Sequence, residues 1–145
     1  MYHYTECGLR NVWLANGYRK DASPKYGELV SIEHVEGLHT LIADQLIEKS
    51  HLTGLEFRFL RKELGLSQAK LAQAWGYDEQ SIALWEKRGR VPKIADRFIR
   101  AYYNEVRHGN ANITALIERL NDQDLAEEER RLTFEETEAG WRLAA

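Results

Sequence analysis

The sequence predicts a mostly helical α+β protein, and two observations carry this expectation. Between residues 52 and 107, apolar side chains recur every three or four positions in four segments, each marked by a residue that starts or stops a helix. Short runs of strand-like composition lie near both termini, beside the turn-forming pairs Asn16-Gly17 and Ala139-Gly140. We therefore expect a four- to five-helix domain, preceded by a small strand-strand-helix part and followed by a short C-terminal hairpin.

Residues 1–51 form the first expected part. The pair Asn16-Gly17 is a strong hairpin signal beside the strand-like run 11–15, and residues 28–32 have the composition of another strand. Apolar residues at helical spacing, from Leu38 to Ile47, predict an amphipathic helix over about 35–50. The following apolar residues are expected to form the folding centre of this part: Trp13, Leu14, Tyr18, Leu29 and Ile32.

A helix start is indicated by residues 52–57. Thr53 and Glu56 have the spacing of a capping box, and Leu52 and Phe57 have the spacing of a hydrophobic staple. The helix should extend from about Gly54 to Gly65 and bury one apolar face. That face is expected to comprise Leu55, Phe59, Leu60 and Leu64.

Residues 66–86 have the pattern of two short helices joined by a tight turn. Ser67 and Asp78 are placed to cap the two helices. Ala72 is small enough to let the helix axes approach closely, and Gly76 suits the left-handed conformation of the turn. This is the pattern of a helix-turn-helix, so DNA binding is the leading functional hypothesis.

A further helix should open at Pro92, because proline suits the first turn of a helix. Its apolar stripe is expected to comprise Ile94, Phe98, Ile99, Tyr102 and Val106. Beyond this segment we expect a helix that contains Ile113 to Leu120, an acidic linker over 122–129 and a hairpin through Ala139-Gly140. The chain thus divides into parts at 1–51, 52–109 and 110–145.

The second helix of the two-helix pattern has a predicted outer face. Ile82 and Trp85 lie three residues apart and share the inner face. The candidate base-reading residues point the other way: Glu79, Gln80, Ala83 and Leu84. Gln80 is the best reader, since its carboxamide matches the N6 and N7 edge of adenine.

The other three candidate base-reading residues have more than one possible role. Leu84 and Ala83 are suited to contact thymine methyl groups. Glu79 either accepts a hydrogen bond from cytosine N4 or repels a wrong register, or else it is only a favourable charge at a helix N-terminus.

Charge is unevenly distributed along the chain. The whole sequence has a net charge of −3, yet residues 54–109 contain 11 Lys and Arg against 7 Asp and Glu. Residues 1–53 contain 5 against 7, and residues 110–145 contain 4 against 9. The positive charge therefore coincides with the two-helix pattern, as phosphate binding requires. The expected phosphate contacts are Ser67, Gln68, Lys70, Lys87, Arg88, Arg90 and Lys93.

The sequence resembles the XRE (Cro/C1-type) helix-turn-helix regulators over residues 60–68, Leu71-Ala72, Gly76, Ile82, Trp85-Glu86-Lys87 and Pro92. Residues 85–92, followed by Ala95-Asp96-Arg97, look most like the MqsA-type (YgiT-like) antitoxins. The resemblance implies that Gln68 meets the DNA strand. It also implies an antitoxin that represses its own operon and binds a protein toxin.

A dimer is expected on physical grounds as well. A single reading helix buries too little surface for tight specific binding, so the protein should bind a palindromic operator as a homodimer. Its half-sites should then lie about one helical turn, roughly 34 Å, or a multiple of that distance apart.

The chain departs from MqsA-type proteins in two respects. Those proteins place an asparagine and an arginine where this chain has Gln80 and Leu84, so the guanine reader is missing and the operator must differ. They also build a zinc site from four cysteines, whereas this chain has only Cys7. His3 with Cys7, and His34 with His39, offer nitrogen and sulfur ligands without the spacing of a zinc knuckle. We therefore expect no metal and no cofactor.

Composition and length agree with a small regulator. The 145 residues are 43% hydrophobic, which is enough for a core. The single cysteine, the lack of a signal-peptide pattern and the lack of an apolar run of about 20 residues predict a cytoplasmic protein that does not bind membranes. Catalysis is not expected, because the chain has no Gly-rich phosphate loop, no H-E-x-x-H helix and no G-x-S-x-G elbow.

The leading hypothesis is a DNA-binding repressor that is the antitoxin of a type II toxin–antitoxin pair and holds the toxin through residues 1–51. Two alternatives remain open. One is a stand-alone XRE-family regulator of a phage or mobile element. The other is a protein-interaction module that has lost DNA binding, as the acidic Glu79 and the apolar Leu84 would allow.

Overall fold

A computed structural model describes residues 1–108 and 133–144. These residues form an α+β structure that is mostly helical, as the sequence predicts. The helices are α1 (Val35–Ile47), α2 (Gly54–Glu63), α3 (Gln68–Trp75), α4 (Glu79–Arg88) and α5 (Lys93–Arg107). The strands are β1 (Tyr2–His3), β2 (Trp13–Leu14), β3 (Tyr18–Ser23), β4 (Gly27–Ile32), β5 (Phe134–Thr137) and β6 (Gly140–Leu143). The helix expected at 113–120 and the acidic linker lie outside the described residues.

The starts of α2, α3 and α4 follow local capping signals. Thr53 Oγ1 accepts the Glu56 N–H at 3.2 Å, and the Glu56 carboxylate accepts the Thr53 N–H at 2.9 Å, which completes the predicted capping box. Ser67 Oγ accepts the Lys70 N–H at 3.0 Å, and Asp78 accepts the Gln80 N–H at 3.2 Å. All three predicted caps are confirmed.

The turn between α3 and α4 occupies only three residues. Gly76 ends α3 with φ of 72°, in the left-handed region where glycine avoids a steric penalty. Asp78 then caps α4. The two helices pack against each other, and Ala72 and Ile82 are buried between the helices.

One hydrophobic core joins the N-terminal part to helices α2–α5. Leu9 from the loop between β1 and β2, and Ala43 and Leu46 from α1, are buried in the same cluster as the side chains of α2–α5. The largest fully buried side chains of this core are Phe57, Leu60, Leu71, Ile82 and Ile99. The predicted face of α2 agrees in part, since Phe59 is also buried, whereas Leu55 and Leu64 are half-buried at the core margin.

The predicted apolar stripe of α5 is wrong in three positions. Ile94 is 72% exposed, Phe98 39% and Val106 43%. The buried face instead comprises Ala95, Asp96, Ile99, Tyr102 and Tyr103. The helix is rotated because Asp96 turns inward, where its carboxylate accepts the Leu52 N–H at 2.5 Å and pairs with Arg100 Nη2 at 2.6 Å. An ion-paired carboxylate therefore takes a core position that apolar periodicity would have assigned to its neighbours.

The hairpin predicted at Asn16-Gly17 is also wrong. β1 pairs with β2 and β3 pairs with β4, both antiparallel, so Asn16-Gly17 connects strands of two different pairs. Gly17 has φ of 78°, and its carbonyl accepts the Glu33 N–H at 2.8 Å, which ties the connection to the end of β4. The actual hairpin turn lies between β3 and β4, and the strand predicted at 28–32 is confirmed as part of β4.

The predicted folding centre of the N-terminal part is only partly correct. Leu14 is buried and Tyr18 and Ile32 are half-buried, but Trp13 is 56% exposed and Leu29 is 45% exposed. Short two-stranded sheets leave one face open, which explains the exposure of both side chains. At the C-terminus, the predicted hairpin is confirmed as β5 and β6.

Candidate nucleic-acid interface

Helix α4 has an inner and an outer face. Ile82 is fully buried and Glu86 is 5% exposed, whereas Glu79 and Gln80 lie on the surface and Leu84 is 42% exposed. Three of the four predicted base-reading residues therefore share the outer face. The fourth, Ala83, is half-buried beside them and lines a neighbouring groove.

The first turn of α4 leaves the Gln80 side chain available. Its backbone N–H is taken by Asp78, and within the described residues its carboxamide forms no hydrogen bond. Two donors and one acceptor therefore face solvent at the start of the helix. Glu79 lies beside it and is favourably placed against the helix dipole.

The first turn of α3 lies close to α4 through Gln68. Gln68 Nε2 donates to Glu86 Oε1 at 3.2 Å, which orients a half-buried side chain. Ser67, exposed before it, uses its hydroxyl as the helix cap, and Lys70 projects from the same turn. The structure thus brings together the predicted contacts on α3 with the C-terminal half of α4.

A buried ion pair between Arg61 and Glu86 underlies this arrangement. Arg61 Nε and Nη2 donate to the two Glu86 oxygens at 2.8 Å and 2.9 Å, and Nη1 donates to the Leu66 carbonyl at 2.8 Å. The two side chains are only 7% and 4% exposed. A bidentate pair of this kind fixes α4 against α2 and against the loop before α3.

Sequence reasoning missed this pair. A signal was nevertheless present, because Glu86 lies four residues after Ile82 and therefore falls on the inner face of α4. A charged residue at such a position requires a buried partner.

Four of the five predicted cationic residues line two adjacent grooves that share Gly89, and Lys70 lines neither groove. The larger groove, about 750 Å³, is lined by Lys87 and Arg88 together with Gln68 and Ala83. The smaller groove, about 260 Å³, is lined by Arg90 and Lys93. All four cationic side chains are exposed. The arrangement supplies a positively charged surface behind the outer face of α4.

Three of the four residues considered as zinc ligands, His3, Cys7 and His39, make other contacts. His39 Nε2 lies 2.8 Å from the Tyr4 hydroxyl, and its Nδ1 lies 2.8 Å from Glu63 Oε1. His3 stacks on Trp13, and His34 is an exposed residue at the start of α1. Within 1–108 and 133–144, no group of three or more His, Cys, Asp or Glu side chains is arranged to hold a metal ion.

Cys7 is a half-buried thiol. Its Sγ donates to the Tyr4 carbonyl at 3.4 Å. Burial raises the pKa of the Cys7 thiol, which favours the neutral form at pH 7 and makes it a weak nucleophile.

Comparison with known proteins gives no matching family model, curated protein or solved structure. Within the part of the chain that the structure describes, no helix has both the length and the apolar character needed to cross a membrane.

Proposed function

We propose that the protein is a homodimeric, sequence-specific DNA-binding repressor of the helix-turn-helix type. The observation that carries this proposal is the division of α4 into a buried face, locked by Glu86, and an outer face with Gln80 and Leu84. An α-helix fits the major groove of B-form DNA, and such a helix needs polar and apolar side chains that are not used in the core.

In this proposal, α4 lies in the major groove and Gln80 forms two hydrogen bonds with adenine. Leu84, one turn further along, contacts thymine methyl groups. The first turn of α3, with Ser67, Gln68 and Lys70, lies against the phosphate backbone, where exposed donors and cations are favourable. Lys87 to Lys93 provide phosphate contacts beyond the reading helix.

We expect Gln80→Ala to weaken binding to the specific operator by about 1–3 kcal/mol and to leave binding to an unrelated duplex nearly unchanged. The operator is first selected from a random duplex library with the full-length protein. Fluorescence anisotropy then measures both affinities at one salt concentration. Gln45→Ala is the matched control, because Gln45 is an exposed glutamine on α1.

Equal specificity in Gln80→Ala and the wild type would show that α4 is not docked as proposed. If the wild type selects no duplex, the proposal that the protein binds DNA is wrong. The chain would then be an interaction module, as the exposed Glu79 and Leu84 allow.

We further propose that this repressor is an antitoxin that holds its toxin through the N-terminal part. β3 and β4 pair only with each other among the described strands, so each has an outer edge that is open to strand addition. Tyr26 and Leu29 add exposed apolar surface, at 69% and 45%. The apolar face of α1 is a poorer docking surface, because Ala43 and Leu46 are buried in the core.

Co-expression with the adjacent reading frame tests the antitoxin role. The full chain should protect cells and co-purify with the toxin, and Leu29→Lys should weaken the complex about ten- to a hundredfold, the effect expected when a buried leucine contact is lost. Phe134→Lys is the matched control, since Phe134 is an exposed apolar residue on the C-terminal hairpin.

Two results would contradict this role. If the adjacent reading frame is harmless alone, the antitoxin role is wrong and a stand-alone regulator takes its place. If Leu29→Lys binds the toxin as tightly as Phe134→Lys does, the open edge of β4 is not the docking surface.

A further inference from the structure

The larger groove contains two cationic residues that lie far from α3 and α4 in sequence. Arg10 comes from the loop between β1 and β2, and Arg58 comes from α2. They line the same groove as Lys87, Arg88 and Gln68. The fold therefore places five exposed cationic side chains along one groove that also includes Gln68 of the first turn of α3: Arg10, Arg58, Lys87, Arg88 and Lys49, the last of which pairs with Glu56.

The carboxylates of this groove are already neutralised. Both Glu56 oxygens accept from Lys49 Nζ, at 2.7 Å and 2.8 Å, and Glu86 is paired with Arg61. Within the described residues, no salt bridge involves Arg10, Arg58, Lys87 or Arg88. The groove is therefore strongly positive and suits a polyanion whose charges are spaced along it.

The backbone on both sides of the groove is held in place. Leu9 is buried in the core and the Arg10 carbonyl lies 2.6 Å from His3 Nε2, so the Arg10 backbone is anchored while its side chain is exposed. Gly54 brings the first turn of α2 against the end of α4, since a Cβ there would lie 2.4 Å from the Glu86 carbonyl oxygen. Arg58 projects one turn further along α2. Anchored backbones lower the entropic cost of binding.

We propose that Arg10 and Arg58 bind backbone phosphates of the operator beyond the base pairs contacted by α4. The inference rests on the proposed DNA-binding function and extends it, because residues 1–51 would then form part of the DNA interface. Phosphate is the favoured ligand since the groove is continuous with Gln68 and Lys87, which are already assigned to the DNA strand.

The test compares two double variants of the full-length protein, each of which loses two exposed positive charges. Arg10→Gln/Arg58→Gln removes the groove residues, and Arg19→Gln/Lys25→Gln removes residues of the β3–β4 hairpin. We expect the slope of log K against log salt to fall by about 1.8 in the groove variant, from about 0.9 per phosphate contact, and to change little in the control.

A second measurement locates the contact. Trimming base pairs outside the selected half-sites should weaken wild-type binding and leave the groove variant unaffected. Arg10→Lys/Arg58→Lys should behave like the wild type, because a phosphate contact requires the charge more than the guanidinium geometry. If the glutamine variant folds poorly, the trimming measurement on the wild type still tests the proposal, because wild-type binding that is unaffected by trimming would overturn it.

The outcomes separate the two proposals. If the wild type binds an operator and Gln80→Ala loses specificity, but the groove variant matches the control, the inference about Arg10 and Arg58 is overturned and DNA binding stands. If the wild type binds no duplex, the DNA-binding function itself fails. Equal losses in both double variants would point to general electrostatic attraction and would also overturn the inference.

Discussion

Glu86→Ala is expected to destabilise the protein by about 3–5 kcal/mol, because it leaves the Arg61 guanidinium buried without its counter-charge. Arg61 is held by three hydrogen bonds, two of them to Glu86. The Leu66 carbonyl alone does not compensate a guanidinium that is only 7% exposed. Urea unfolding, followed by circular dichroism, measures the change in the free energy of unfolding.

Two variants sharpen this result. Glu79→Ala, on the exposed side of the same helix, should change the free energy of unfolding by less than about 0.5 kcal/mol. Arg61→Met/Glu86→Leu should recover most of the loss, because a well-packed apolar pair replaces a buried ion pair at little cost. If Glu86→Ala is as stable as Glu79→Ala, the buried pair does not form in solution.

Gly54→Ala should destabilise the protein by about 1–3 kcal/mol, although alanine is the better helix former. A Cβ at this position would lie 2.4 Å from the Glu86 carbonyl oxygen and 2.5 Å from the Trp85 carbonyl oxygen. Backbone atoms cannot rotate away as a side chain can, so α2 and α4 would have to separate. The loss is again measured by urea unfolding.

Gly37 provides the matched control for this substitution. It lies within α1, and a Cβ there would meet nothing within 4 Å. Gly37→Ala should therefore stabilise the protein by about 0.5–1 kcal/mol, since alanine restricts the unfolded chain and favours the helix. The same change of residue is expected to have opposite signs at the two positions. A stabilising Gly54→Ala would show that α2 and α4 are further apart than the structure places them.

The predictability of the helix starts follows from the short range of the interactions that create them. The capping box of Thr53 and Glu56 involves residues three apart, and the caps at Ser67 and Asp78 reach two or three residues along the chain. Both partners of each interaction therefore lie within one short stretch of sequence. Sequence reasoning could therefore identify these elements and the outer face of α4.

The incorrect predictions concern which face of α5 is buried and which N-terminal strands pair with one another. α5 buries Asp96 and exposes Ile94 and Phe98, because the partner of Asp96 is the backbone of Leu52, 44 residues away. The pair Asn16-Gly17 lies at a bend between β2 and β3 and not in the predicted hairpin, because the partners of both strands lie in other segments. Periodicity along one segment contains no information about such partners.

In the candidate site, the residues that are close in sequence were predictable, and those brought together by the fold were not. The residues of α3 and α4 are close in sequence, so their grouping followed from the two-helix pattern. Arg10 joins them because the loop between β1 and β2 lies beside the first turn of α2, and Arg58 joins them because α2 packs against α4. The Arg61–Glu86 pair bridges 25 residues, and its significance emerges only when both side chains are found buried.

The single core has a consequence for how such a chain can change in evolution. Leu9, Ala43 and Leu46 pack into the same cluster as Phe59 and Leu60, and His39 bridges Tyr4 to Glu63. An unrelated segment could therefore not simply replace the first fifty residues, since their loss would expose apolar side chains of α2 to solvent. A recombined descendant that acquired a new N-terminal part would have to supply an equivalent helix and an equivalent buried leucine. Substitutions at exposed positions, such as Leu29 and Tyr26, would leave this core intact, and under the proposed function they would change which toxin the protein binds.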